Sequence, residues 1–177
     1  MKLLGKNSGG KTGEIIILSY MSVILVGVQY VLSFLPNIEL VSLLVIIFTL
    51  VYRRKVLYTI YVFTFLQGLI YGFSIWWVTY LYVWTILAGI TYLFRNIETS
   101  LGWALISGFY GLAFGALCEI PWLVTVGFRV AFTAWVAGIP FDLVHGISNF
   151  LIALVLFNPL YKLLIKLENM RTSNELS

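Results

Sequence analysis

The fold is decided by a stretch in which two apolar runs flank three consecutive basic residues. It reads LVSLLVIIFTLVYRRKVLYTIYVFTFLQGLIYG, residues 40–72. A membrane-spanning helix needs roughly 20 apolar residues, and somewhat fewer where neighbouring helices shelter its ends. Because Arg53, Arg54 and Lys55 lie between the two runs, they would lie at a membrane surface. The stretch therefore predicts two helices that cross a bilayer in opposite directions.

The same alternation continues in both directions along the chain. Basic residues fall in every second gap between six apolar segments, and among the eleven Lys and Arg residues only Arg129 departs from this pattern. Cytoplasmic loops carry the excess of Lys and Arg in membrane proteins. The pattern predicts an all-α integral membrane protein with six transmembrane helices and both termini in the cytoplasm. We expect the helices at about residues 14–35, 40–52, 56–73, 79–94, 101–118 and 141–164.

The composition excludes a soluble domain, because 61% of the residues are hydrophobic and 10% are charged. We expect a cytoplasmic tail at residues 1–13, a single six-helix membrane domain at 14–167 and a second cytoplasmic tail at 168–177. The first apolar run is expected to be retained, since no small-residue cleavage pattern follows it. The net charge of +4 comes from basic residues at helix ends, where they face anionic lipid. Nucleic acid is therefore not an expected partner.

One motif in the tail matches a nucleotide-binding pattern, but the neighbouring sequence does not support nucleotide binding. Residues 5–12 read GKNSGGKT and match the phosphate-loop pattern, but no strand precedes them and a membrane helix follows. We interpret this segment as a flexible tail. The chain has one histidine and one cysteine, so it offers no metal-binding pair and no plausible catalytic triad. We expect a protein that is not an enzyme and that carries no cofactor or metal.

Two further features concern packing. Residues 121–140 are apolar but bounded by prolines, and they predict an outer capping or re-entrant segment between the fifth and sixth helices. Small residues let membrane helices approach closely. Glycines at such spacing on the third and fifth helices therefore predict intramolecular packing: Gly68, Gly72, Gly108, Gly111 and Gly115.

Polar side chains at membrane depth are costly, so each suggests a function. Asp142, His145 and Asn149 share one face of the sixth helix and predict a cavity wall on the outer side. The alternative is that Asp142 caps this helix while the other two bond to neighbouring helices. Glu39 and Glu119 lie on the same side, either as ligand groups or as interfacial capping carboxylates.

Aromatic residues gather on the outer side as well. Trp77, Tyr80 and Trp84 share a face of the fourth helix, and they predict a stacking wall for a flat ring. Trp76 fits the interfacial aromatic belt instead. The full set of candidate substrate-binding residues is Asn37, Glu39, Gln67, Tyr71, Trp77, Tyr80, Trp84, Glu119, Trp122, Asp142, His145 and Asn149.

Three segments give the chain a resemblance to a known family. They are FLPNIELV at residues 34–41, LQGLIYG at 66–72 followed by Trp76 and Trp77, and GIPFDLVHGISNF at 138–150. Their order and spacing, together with the six-helix pattern, resemble the substrate-binding S component of an energy-coupling factor type vitamin transporter. The resemblance covers nearly the whole chain after the tail.

The resemblance implies a mechanism and a set of partners. S components capture a vitamin or related micronutrient from outside, associate with a membrane T subunit and two cytoplasmic ATPases, and are thought to topple in the bilayer. The family contacts the T subunit through small residues of the first helix, and the matching positions here are Ser19 and Ser22, with Gly27 further along. Serine replaces the usual alanine pattern at these positions.

Two other functions remain open at this point. One is a stand-alone carrier or channel, which the apolar run at residues 150–157 disfavours because it leaves no continuous polar path. The other is a structural membrane protein that binds no ligand. For the substrate, the aromatic wall and the carboxylates favour a flat heteroaromatic molecule with an amine or several hydrogen-bond donors.

Overall fold

The structure is a computed structural model that describes residues 11–175, with side chains described for residues 12–173. The described residues form helices joined by short turns, and none of them belongs to a β-strand. The helices are α1 (Lys11–Leu32), α2 (Val41–Tyr52), α3 (Val56–Tyr71), α4 (Ile75–Leu93), α5 (Ser100–Cys118), α6 (Ile120–Thr125) and α7 (Phe128–Glu175). A single 3₁₀ turn, Arg53–Lys55, joins α2 to α3. The phosphate-loop match and most of the N-terminal tail lie outside the described residues.

Each of the six predicted segments is helical, and the ends of the first five helices lie within a few residues of the predicted ends. The first helix ends at Leu32, before Pro36, because the chain turns through Ser33 and reaches a left-handed backbone conformation at Asn37 (φ 60°). The fourth helix begins at Ile75 rather than near residue 79. It follows directly on a turn at Gly72, whose φ of 86° is a conformation that favours glycine.

The expectation of an irregular capping segment at residues 121–140 is wrong. A short helix, α6, is followed by α7, which runs without a break from Phe128 to Glu175 and contains Pro140 and Pro159. Membrane helices tolerate proline where other groups or local adjustments satisfy the freed carbonyl. The predicted sixth helix at 141–164 is therefore the middle of a 48-residue helix. Residues 168–175 of the predicted C-terminal tail belong to it as well.

Four helical stretches are long and apolar enough to cross a membrane: Thr12–Leu32, Ile75–Leu93, Ser100–Thr125 and Phe128–Ser173. The two remaining long helices, α2 and α3, have 12 and 16 residues. Nine residues of α2 are buried by the surrounding helices, so protein rather than lipid encloses most of it. Helix α2 is therefore mostly enclosed by other helices, whereas much of the surface of the four long stretches is exposed.

The closest helix pair is α5 and α7, which run antiparallel. Their contact is the glycine seam, formed by Gly108, Gly111 and Gly115 on α5 and Gly146 on α7. A Cβ atom at Gly111 would lie 2.9 Å from the Cα atom of Gly146, and one at Gly108 would lie 3.3 Å from the carbonyl oxygen of Gly146. The predicted packing role is confirmed for Gly108, Gly111 and Gly115. It is wrong for Gly72, which follows the end of α3 and where a Cβ atom would meet nothing within 4 Å.

The remaining helices surround α2. Helix α1 packs mainly on α3, whereas α2 packs on α4 and α7. Large apolar side chains of several helices meet in one core, among them Leu25, Ile46, Phe63 and Leu87.

Basic residues collect at one end of the bundle. Lys55 forms an ion pair with Glu14 at the start of α1, and Arg171 pairs with Glu168 near the end of α7. The Tyr52 hydroxyl donates a hydrogen bond of 2.8 Å to Glu168. The guanidinium groups of two further residues, Arg54 and Arg95, lie over the ring of Tyr92 at 5.7 and 4.6 Å. We name this the basic end; the opposite end contains the loop at residues 33–40.

Candidate functional site

A cavity of about 360 Å³ lies at the end of the bundle opposite the basic end. It is formed by the last turns of α1, the loop at residues 33–40, the end of α3, the start of α4 and the middle of α7. This volume is within the range of small-molecule sites. The lining residues are Gln29, Leu32, Ser33, Leu35, Pro36, Asn37, Ile38, Glu39, Gln67, Tyr71, Trp76, Tyr80 and His145.

Two glutamines and a tyrosine form a polar chain along one wall of the cavity. The Nε2 group of Gln67 donates to the Oε1 atom of Gln29 at 3.1 Å. The Nε2 group of Gln29 donates in turn to the Tyr80 hydroxyl at 2.8 Å. These contacts join three helices, α1, α3 and α4. The Oε1 atom of Gln67 is buried and has no hydrogen-bond partner among the described residues.

The opposite wall is the loop at residues 33–40, which is tied to α7 by polar contacts. The Ser148 hydroxyl donates to the carbonyl oxygen of Asn37 at 2.8 Å. The Nε2 atom of His145 lies 3.4 Å from the Oε1 atom of Glu39. The other carboxylate oxygen of Glu39 accepts from the backbone N–H of Ser42 at 2.8 Å and so caps the start of α2. Glu39 thus combines the capping role and the position in the cavity that the sequence left as alternatives.

Glu39 is a carboxylate held in its charged form. Burial raises the pKa of its carboxyl group, but the hydrogen bond and the charge of His145 and the bonds from Ser42 outweigh burial. The pKa of Glu39 is therefore lowered from its ordinary value. The cavity lining contains one acidic residue and no Lys or Arg. Within the lining, the group paired with this carboxylate is the His145 imidazole.

Aromatic rings form the third wall. The rings of Tyr71 and Trp76 meet edge to face with centroids 6.5 Å apart, and those of Trp76 and Tyr80 do so at 5.3 Å. Behind them, Trp84 packs against Tyr80 at 5.6 Å. The ring of Phe114 supports His145 with centroids 4.9 Å apart. Edge-to-face contacts of this kind hold the rings in place and leave one face of the wall open to the cavity.

The structure brings half of the sequence-predicted site residues into this cavity. Those that line it are Asn37, Glu39, Gln67, Tyr71, Tyr80 and His145. Those that do not are Trp77, Trp84, Glu119, Trp122, Asp142 and Asn149.

The six residues outside the cavity have other contacts. The indole N–H of Trp77 donates to the carbonyl oxygen of Thr64 at 2.8 Å, and Trp84 is buried behind the wall. The amide of Asn149 lies 3.4 Å from the Ser42 hydroxyl, where it bonds to a neighbouring helix. Glu119 is the residue that links the end of α5 to the start of α6. Trp122 is exposed on α6.

Asp142 packs against the glycine seam. Its Oδ1 atom accepts a hydrogen bond of 3.0 Å from the backbone N–H of Gly115, and its carboxylate occupies the space that a Cβ atom would need there. The capping alternative for Asp142 is wrong, because α7 begins at Phe128 and the residue lies inside the helix. Its role in the described structure is to join α5 to α7.

Gln29 and Trp76 are among the cavity residues that the sequence did not select. Gln29 lies in the apolar run of α1, and a lone amide at membrane depth is the signal that would have found it. Trp76 was assigned to the aromatic belt, but it lines the cavity. Both Trp76 and Trp77 are one turn from Tyr80, so helical spacing alone does not distinguish them.

The two residues expected to couple to a T subunit differ in exposure. The Ser19 side chain is exposed, and its hydroxyl donates to the carbonyl oxygen of Ile15 at 2.9 Å. Ser22 is fully buried, and its hydroxyl contacts the carbonyl oxygens of Leu18 and Thr59 at 3.0 Å. Ser22 therefore joins α1 to α3 and is not available on the surface. Gly27, in contrast, is open on the same helix as Ser19.

A second groove, of about 610 Å³, runs along the last turns of α7. The residues that line it, from Tyr161 to Ser173, all belong to that one helix, so no second described element encloses a ligand there. Within residues 11–175, no group of three or more His, Cys, Asp and Glu side chains is placed to hold a metal ion. The cavity at the opposite end is lined by five elements of the fold and is the stronger candidate site.

Comparison with protein families, with curated proteins and with solved structures finds no match to this chain. The function is therefore inferred from the cavity and from the membrane character of the helices.

Proposed function

We propose that this chain is the substrate-binding S component of an energy-coupling factor type importer in a bacterial cytoplasmic membrane. It captures a vitamin or related heteroaromatic micronutrient on the extracellular side. A T subunit and two ATPases then drive delivery into the cell. In this proposal the chain crosses the membrane six times, with both termini and the basic end in the cytoplasm.

The observation that carries the proposal is a cavity with an aromatic wall and a polar wall in an apolar helical bundle. Amide and hydroxyl groups orient a small ligand, and rings such as Trp76 provide a flat surface for stacking. The cavity lies at the end opposite the basic end, which the distribution of Lys and Arg assigns to the cytoplasm. The short α2 is compatible with six crossings because its ends are sheltered by protein.

The exposed face of α1 is the proposed contact with the T subunit. Ser19 and Gly27 are both open on this helix and eight residues apart, so they lie on the same side of it. Small residues at these two positions let a neighbouring helix approach there, while Val23 projects between them. Ser22 is removed from this surface, since it is buried against α3.

The test of the proposal begins with native mass spectrometry of the detergent-solubilised protein to identify a copurified small molecule. Trp76→Ala should weaken binding of that molecule by at least about tenfold, since base-like rings gain about 1–3 kcal/mol from stacking on an aromatic side chain. Trp122→Ala is the matched control, because Trp122 is exposed on α6 and lies outside the cavity. Equal loss of affinity in both variants would contradict this assignment of the site.

A cell-uptake assay tests the partners. Uptake of the identified molecule should require both the T subunit and the ATPases. Uptake that continues unchanged after deletion of the ATPase genes would instead establish a stand-alone carrier.

A further inference from the structure

Two guanidinium groups at the basic end lie beside one aromatic ring. The Cζ atom of Arg54 is 5.7 Å from the centroid of the Tyr92 ring, and that of Arg95 is 4.6 Å from it. The two residues come from separate turns, one between α2 and α3 and one between α4 and α5. Both distances end at the same centroid, so the charges are separated by roughly a Debye length or less, about 10 Å at 0.1 M salt. Two such charges repel each other, and an anion beside them offsets this cost.

Neither guanidinium group has a carboxylate partner among the described residues. The neighbouring Lys55 is paired with Glu14, whereas Glu98, the acidic residue in the turn after α4, is exposed and forms no ion pair within residues 12–173. Arg95 donates one hydrogen bond, from its Nη1 group to the carbonyl oxygen of Tyr92 at 3.2 Å. Since a guanidinium group has five N–H donors, most of the donors on both groups remain for a partner outside the described chain.

The ring between these charges lies at the end of a membrane-spanning stretch. Tyr92 belongs to the last turn of α4, which has 19 residues. A helix of this length extends about 28 Å, close to the ~30 Å thickness of the hydrocarbon core. The last turn of α4 is therefore at the level of the lipid headgroups, where tyrosine is enriched in membrane proteins.

Large apolar side chains next to the ring face outward. Leu93 and Phe94, which directly follow Tyr92, are exposed, and so is Tyr58, one turn along α3 from Arg54. Such a surface fits acyl chains, whereas guanidinium groups bind phosphate oxygens through paired N–H donors. A phospholipid offers both parts, and a free phosphate ion offers only the second.

We propose that Arg54 and Arg95, together with the Tyr92 ring, bind the phosphate group of an anionic phospholipid. Attraction to anionic lipid is a property of every Lys and Arg at a membrane surface. The shared ring and the missing carboxylate partners distinguish these two residues from the rest of the basic end. A zwitterionic lipid has the same phosphate, but its ammonium group is repelled by the two guanidinium groups. The inference does not depend on the cavity or its ligand.

The experiment is native mass spectrometry of the full-length protein in detergent with an equimolar mixture of phosphatidylglycerol and phosphatidylcholine that have identical acyl chains. Wild-type protein should retain phosphatidylglycerol at least about tenfold more than phosphatidylcholine, since each basic residue contributes about fivefold. In the double variant Arg54→Gln/Arg95→Gln this preference should fall below about threefold. Lys162→Gln/Lys166→Gln is the matched control, because it removes the same charge from exposed residues of the groove on α7 and should keep the preference.

Two further arms separate this site from general attraction and from a free anion. Arg54→Lys/Arg95→Lys keeps both charges but loses the paired donors and the stacking on Tyr92, so the preference should fall by at least about threefold. Excess inorganic phosphate should not displace the retained phosphatidylglycerol. Displacement by inorganic phosphate would assign the site to a free anion and overturn the lipid proposal.

The remaining outcomes also decide the question. Equal retention of the two lipids by wild-type protein overturns the proposal, and this comparison needs no variant to fold. An equal loss of preference in the arginine and lysine double variants overturns it too, because the basic end would then attract anionic lipid only as a whole. A preference that persists in Arg54→Gln/Arg95→Gln assigns the lipid to other residues.

Discussion

Along the glycine seam, backbone meets backbone with no room for a Cβ atom, whereas around the cavity long polar side chains reach across an open space. Gly111 and Gly146 are typical of the first region, and Gln29 and Gln67 of the second. The seam has no open space beside it, and its polar contact joins the Asp142 carboxylate to the backbone of Gly115. Each region contains a buried acceptor without a partner among the described residues, Asp142 Oδ2 in the seam and Gln67 Oε1 beside the cavity. The glycine seam therefore holds α5 and α7 together, whereas the cavity has space for a ligand.

The largest effect is expected in the seam. Gly111→Ala places a Cβ atom 2.9–3.0 Å from backbone atoms of Gly146 and His145, and backbone cannot move aside as a flexible side chain can. We expect a loss of about 1–3 kcal/mol in the free energy of unfolding, measured by thermal or denaturant unfolding in detergent. Gly89→Ala is the matched control, because a Cβ atom there meets nothing within 4 Å. Similar losses in both variants would show that the seam is no tighter than the lipid-facing surface.

A smaller and pH-dependent effect is expected at Glu39. Because the pKa of Glu39 is lowered in the folded protein, its charged form stabilises the fold at neutral pH, and this contribution disappears as the pH falls through the lowered pKa. Glu39→Gln should reduce stability by about 1–2 kcal/mol at pH 7, since hydrogen bonds to charged groups are the stronger ones.

The pH series that tests this prediction runs from pH 7 to pH 3. The gap between Glu39→Gln and wild type should close below the ordinary carboxyl pKa of 4.5. A gap that is constant across the series would mean that the charge of Glu39 contributes nothing. Gly89→Ala measured over the same series separates this effect from general acid unfolding.

The smallest expected effect is a difference in stability between substitutions of two buried tryptophans. Trp103 lies near the glycine seam and Trp84 lies near the cavity. Trp103 packs on Phe157 of α7, and its indole N–H donates to the carbonyl oxygen of Ile97 at 3.1 Å. Trp84 lies behind the cavity wall, and its indole N–H has no partner within residues 11–175. Trp103→Phe should therefore cost about 0.5–1 kcal/mol more than Trp84→Phe in unfolding free energy. The opposite order would indicate that Trp84 donates to a group outside the described residues.

The sequence was a good guide to the helices and to the polar residues at one end. Hydropathy located six helices because apolar runs and basic turns alternate so regularly around Arg53–Lys55. It placed Glu39, Gln67 and His145 together because charge alternation assigns each of them to the same side. These inferences need only the order of residues along the chain and the cost of polar groups in lipid.

Other features depended on tertiary packing and were not predicted. The sixth helix was expected to begin after Pro140, but α7 runs through this residue. The sequence placed Trp77 in the cavity wall and Trp76 in the aromatic belt, whereas Trp76 is the residue that lines the cavity. Which of the two faces the cavity depends on where α4 begins. The space beside Gly68 receives Trp77, which leaves Trp76 toward the cavity. Sequence spacing cannot distinguish these positions, since both lie on the same turn of the helix.

The unbroken length of α7 has a mechanical consequence. His145 in the cavity and Glu168 at the basic end belong to one helix and lie about 35 Å apart at ~1.5 Å rise per residue. The contact with α5 is tightest near Gly146, and the Trp103 ring on Phe157 and the Tyr52 hydroxyl on Glu168 hold α7 farther along. One continuous helix, rather than a loop, therefore joins a wall of the cavity to the polar contacts of the basic end.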